Sequence, residues 1–169
     1  MWAVNFSNCQ GKSWIEVGWT KKGTNPVKYK FIHKTPGSSC AYIEELNFGS
    51  PAPWTVHLNK LEYCPSCQGT SWTWHLDGSL KRILNTAGWS YANRLDAGGE
   101  VGGHYDGIGM NGAVVYMRYL PLGGIWQNWV YADDTLCNTG YNLIWTDSPS
   151  ILDWGYDTAG GGCPPWTWT

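Results

Sequence analysis

The sequence has little charge. Eleven Lys and Arg face thirteen Asp and Glu in 169 residues, a net charge of −2 with 14% of positions charged. That excludes the basic footprint by which proteins hold nucleic acid. No apolar run approaches the roughly 20 residues that cross a bilayer, so no membrane partner is expected. The amino terminus has no basic region leading into an apolar one, so no signal peptide is read there, and Met1 before an apolar strand reads as a start codon ahead of a mature sequence. No stretch offers three turns of amphipathic helix, and no repeat of fixed period occurs. Phenylalanine is scarce, at three, whereas tryptophan numbers thirteen and tyrosine ten. These residues join a large apolar body to a polar edge and serve both small β cores and sites for sugars or extended peptides.

Twenty-two glycines and nine prolines mark many turns between short strands. Strands are expected over residues 2–7, 13–20, 27–33, 40–46, 54–62, 70–76, 80–84, 88–95, 113–119, 125–131 and 143–145, with the tail irregular. In 13–20, Ile15, Val17 and Trp19 form the core face, and Glu16 points away from it. Asp77-Gly78 is a hairpin signal. Turn signals every 8–12 residues imply an all-β chain, an antiparallel β-sandwich of jelly-roll or concanavalin-like type, as one domain over 1–169 and a monomer.

Six cysteines, Cys9, Cys40, Cys64, Cys67, Cys137 and Cys163, allow fifteen disulfide pairings and point to a secreted protein. Cys64-Pro65-Ser66-Cys67 has no second pair for zinc and no βαβ setting for redox chemistry, which leaves a local disulfide. Asn5-Phe6-Ser7 is a glycosylation sequon. His33, His57 and His75 show no ligand spacing, Asp133-Asp134 reads as a turn, and Asp96 and Asp106 lack calcium-loop spacing. Neither metal nor cofactor is expected.

Two carboxylates carry the chemical interest. Glu16 stands mid-strand between Trp14 and Trp19. Glu100 lies in the glycine-rich stretch from Asp96 to Gly112, where a substrate backbone has room to approach. Two acids converging in a groove share a proton in the acidic range: one takes a proton from attacking water, the other donates to the developing oxyanion or leaving group. The same pair suits a glycosidic bond.

Ser13-Trp14-Ile15-Glu16-Val17-Gly18-Trp19 resembles the "IEVGW/IEAGW" segment of the neprosin family of glutamic peptidases, with Tyr29, Phe31 and Cys40 following in the family's order. Gly98-Gly99-Glu100-Val101, His104 and Gly109-Met110 resemble its "GGEV…H…QMGSG" segment, and 113–119 its next strand. Asp106-Gly107-Ile108-Gly109 departs from the family's Thr/Gln-rich run, the cysteine turn after Glu16 is not reproduced residue for residue, and the matches span about a fifth of the chain. The resemblance implies a β-sandwich, catalytic Glu16 and Glu100, and cleavage near proline in acid. Trp14, Tyr29, Trp72, Trp74 and His104 are the expected substrate contacts, gripping proline-containing peptides. A non-catalytic carbohydrate-binding sandwich and a two-acid glycoside-cleaving enzyme are the alternatives.

Overall fold

The computed structural model describes residues 1–22, 24–52, 55–96, 110–115, 118–121, 123–128, 141–145 and 151–156. The chain divides into two compact units, Met1–Asp96 and Ala97–Thr169. It is all-β, and among the described residues every strand pairing is antiparallel.

The first unit holds β1 (Trp2–Asn5), β2 (Ser13–Thr20), β3 (Lys28–Lys34), β4 (Tyr42–Glu45), β5 (Asn59–Cys64), β6 (Ser71–Leu76), β7 (Ser79–Leu84) and β8 (Arg94–Asp96). Five of them form one sheet in the order β4-β3-β2-β1-β8, and the other three form a second in the order β5-β6-β7. The sheets share one apolar core: Ala3, Ile15, Val17, Tyr29 and Phe31 from the first meet Trp72, Trp74, Leu76 and Leu84 from the second. Period-two alternation explains this, because Ile15 and Val17 project from one side of β2 and Trp72 and Trp74 from one side of β6. Phe31 stacks on Trp74 with centroids 6.0 Å apart, and Phe48 meets Trp74 edge-on at 4.9 Å. At the rim Arg82 on β7 binds Glu45 on β4, Nη2 to Oε1 2.9 Å, tying the two sheets together.

Local chemistry sets where strands end. β1 stops at Asn5 because the Asn5 side chain accepts from the Ser7 amide at 3.0 Å, an Asx turn that draws the backbone out of the ladder. Asn5 is itself buried and donates to the Tyr91 carbonyl at 3.1 Å, so the sequon asparagine is a structural residue. The β6–β7 hairpin turns on Asp77 and Gly78, with φ of 51° and 77°, the two left-handed residues of a type I′ turn. Residues 55–58 do not extend β5: the Leu58 amide donates to the Asp77 carboxylate at 2.8 Å, and its carbonyl accepts from the Asp77 amide at 2.9 Å. Of the strand expected over 88–95, Arg94 and Leu95 lie in β8; Gly88 is left-handed at φ 76°, in the segment before it.

Disulfides join Cys9 to Cys40 and Cys64 to Cys67. The second is the local bridge expected from the four-residue motif.

The second unit holds β9 (Met110–Val115), β10 (Arg118–Tyr119), β11 (Gln127–Asn128), β12 (Tyr141–Trp145) and β13 (Ile151–Tyr156). β12-β13-β9 form one sheet and β10-β11 a hairpin. β13, expected to be irregular, is the middle strand of its sheet. Asp153 and Gly155 weaken its alternation, yet it pairs along its full length with β9 and from Leu152 to Tyr156 with β12. Among the described residues, no helix is long and apolar enough to cross a membrane.

Candidate functional site

The face of the first sheet opposite the core carries the candidate site. Pairing sets its rows: Trp2, Glu16, Ile32 and Glu44 stand side by side across β1, β2, β3 and β4, with Asp96 of β8 the register partner of Trp2. The neighbouring row runs through Val4, Trp14, Lys34 and Tyr42. Directly paired residues stand on the same face of a sheet.

Glu16 is therefore where alternation places it, away from the core. It is nonetheless only 4% exposed, and Val4 and Ile32 on the same face are buried as well. A buried carboxylate needs a partner, since desolvating an unpaired charge is expensive. Its partner is Lys30, whose ammonium forms an ion pair with the Glu16 carboxylate. Lys30 pairs in register with Gly18, two residues beyond Glu16 on the same side of β2. Gly18 has no side chain to block the lysine on its diagonal path, and its φ of 156° is one that side-chain-bearing residues rarely adopt. Glu44, further along the row, is paired with Lys22.

Trp14 lies beside Glu16 along the strand. Its ring is 6.2 Å from that of Tyr42, with the Lys12 and Lys34 ammonium groups 5.9 and 5.6 Å from its centroid. Both ammonium groups stand over the Trp14 ring, a cation–π setting. Tyr42 is exposed.

The other expected contacts are placed differently. Tyr29, Trp72 and Trp74 are buried in the core, on the side of the first unit that Glu16 turns away from. Their polar ends are engaged there: Trp72 Nε1 donates to the Trp89 carbonyl at 2.9 Å and Trp74 Nε1 to Asn59 Oδ1 at 3.0 Å. Burial pushes the Tyr29 phenol above its ordinary value, with the Asp77 carboxylate adding to the shift. Glu100 and His104 lie outside the described residues. The structure thus brings together Glu16 and Trp14 of the expected set, and adds Lys30 and Tyr42. Alternation in β3 does place Lys30 and Tyr29 on opposite sides, but its pairing with Glu16 depends on the β2–β3 register, which a single sequence does not display.

One further titratable group is buried on the core side. His33 is 4% exposed and pairs in register with Ile15. Desolvation lowers its pKa, Glu45 acts in the opposite direction, and Arg82 lowers it further. Among the described residues, no group of three or more His, Cys, Asp or Glu side chains is arranged to hold a metal ion.

No family model, no curated protein and no solved structure matches this chain.

Proposed function

We propose that the chain is a secreted glutamic endopeptidase of neprosin type, hydrolysing peptide bonds near proline in acid with Glu16 and Glu100 as its dyad. The observation that supports this most is the setting of Glu16: a carboxylate buried in mid-strand on the non-core face, held by Lys30 and set beside Trp14. A plain surface glutamate is exposed and needs no such partner.

In this reading one acid of the dyad removes a proton from water as its oxygen attacks the scissile carbonyl. The other donates its proton to the oxyanion; the proton taken from water then passes to the leaving amine, and the second acid recovers its own proton as the carbonyl reforms. Lys30 fixes the Glu16 carboxylate, so that the attacking water meets an oriented acceptor. Trp14 and Tyr42 take the part of substrate platform; proline rings stack on such faces, and a proline-rich segment is already extended. Tyr29, Trp72 and Trp74 hold the sheets together beneath. The disulfides support an oxidising, extracellular setting.

The test is digestion of a proline-rich unfolded protein at pH values from acid to neutral, with cut sites mapped by mass spectrometry. Cuts beside proline that appear only in acid are expected. The Trp14–Tyr42 platform also fits a carbohydrate-binding sandwich, and a glycan array run beside the digestion separates the two. Glycan binding with no peptide cleavage overturns the peptidase reading in favour of the lectin, and release of sugars overturns it in favour of a glycosidase.

A further inference from the structure

A second reactive constellation joins the segment before β5 to the β6–β7 turn, at the end of the other sheet and remote in sequence from Glu16. Thr55 Oγ1 is 2.6 Å from His57 Nε2, and His57 Nδ1 is 2.8 Å from Asp77 Oδ2. Asp77 is itself fixed, its other oxygen accepting the Leu58 amide at 2.8 Å. The Tyr29 ring meets the imidazole edge-on at 5.6 Å. Each group orients the next: backbone holds carboxylate, carboxylate holds imidazole, and imidazole addresses a hydroxyl. That order defines an activated nucleophile, which is recognised by geometry and role rather than by sequence position. Thr55 is exposed, so a substrate can reach it. An open cavity of about 250 Å³, lined by Leu58, Lys60, His75 and Gly78, borders the relay through the chain neighbours of His57 and Asp77. Its volume admits a small acyl group.

We infer that Thr55 is a nucleophile for acyl transfer from small activated carboxylic esters, with His57 as its base and Asp77 orienting the ring. Asp77 accepts from Nδ1–H, which leaves the Nε2 lone pair of the neutral imidazole facing Thr55. Thr55 Oγ1 attacks the ester carbonyl carbon while its proton passes to Nε2. The tetrahedral adduct collapses with cleavage of the bond to the leaving oxygen, which departs with that proton as an alcohol. Water then attacks the acyl-threonine, His57 takes its proton, and the proton returns to Oγ1 as the carboxylic acid leaves.

The hydroxyl proton has a competing acceptor, the Ala52 carbonyl at 2.7 Å. In the imidazolium form Nε2–H donates to Thr55, which is then pinned as a donor to Ala52 and cannot attack. The groups that act on the ring are the Asp77 carboxylate on the β6–β7 turn and the Tyr29 ring on β3, with Lys81 acting through Asp77.

The experiment uses p-nitrophenyl acetate at about pH 8 with wild type, Thr55→Val, Thr55→Ser and His57→Gln, reading nitrophenol release and locating acetyl groups by peptide mass spectrometry. Wild type and Thr55→Ser are expected to acetylate at position 55. Thr55→Val and His57→Gln are expected to lose about 100-fold in rate, the low end of what a positioned base contributes. The side chains are exposed or partly exposed, so these variants are expected to fold. Acetyl groups found on lysines alone, or a Thr55→Val rate equal to wild type, would overturn the inference and leave the relay as a fastening of the loop before β5.

Discussion

Removal of the Cys9–Cys40 bridge tests how the first unit is held together. The bond ties the turn after β1 to the segment before β4, across a sequence separation of 31, whereas Cys64 and Cys67 are separated by 3. On the chain-entropy account the longer loop is worth about 3.7 kcal/mol and the shorter about 1.6 kcal/mol at 25 °C. Cys9→Ser/Cys40→Ser is therefore expected to lose about 2 kcal/mol more than Cys64→Ser/Cys67→Ser, close to a 30-fold difference in the folding equilibrium. Replacing cysteines in pairs leaves no new free thiol. Urea unfolding followed by tryptophan emission is the assay, since Trp72, Trp74 and Trp89 are all buried in this unit. The slope of free energy against urea must stay constant for the comparison to hold. Equal losses, or a larger loss from the shorter loop, would refute the entropic reasoning and place the value of Cys9–Cys40 in local geometry.

Three further outcomes follow from the same structure. His33 has a folded pKa below its ordinary 6.5, so the unfolded chain takes up the proton first; its contribution to stability is complete above about 6.5 and is lost as pH falls. The urea midpoint of wild type is expected to drop across that window more than that of His33→Gln. Trp74→Ala removes the side chain against which Phe31 and Phe48 pack, and the expected cost is about 3–5 kcal/mol, read from the same urea curves. Expression in a glycosylating host is expected to leave Asn5 bare, as mass spectrometry will show, while Asn5→Ala costs about 1–3 kcal/mol by stranding the Tyr91 carbonyl and the Ser7 amide.

What the sequence displayed was local. β2 occupies the residues that its alternation marks, the Asp77-Gly78 turn is where its left-handed residues demand, and Cys64 pairs with its near neighbour because four residues close on themselves. The outward direction of Glu16 follows from alternation alone. Long-range features were hidden. β6 is the middle strand of its sheet and buried along most of its length, so its pattern does not tell a groove wall from a core wall; Trp72 and Trp74 are core. The Lys30 ion pair depends on the β2–β3 register. The Thr55–His57–Asp77 relay depends on a loop backbone that bonds to a hairpin turn 19 residues away in sequence. β13 does not show in the sequence because two residues that strands disfavour sit inside it.

Glu16→Gln is the sharpest probe of the dyad, because the amide keeps the shape of the carboxylate and removes its basicity. Proteolysis of a proline-rich protein in acid would be timed for wild type, Glu16→Gln and Glu100→Gln, with the urea midpoint of each measured alongside. Folded variants that have lost cleavage by about 100-fold or more are expected. A folded Glu16→Gln that cleaves at the wild-type rate would contradict the dyad and reduce the Glu16–Lys30 pair to a structural contact.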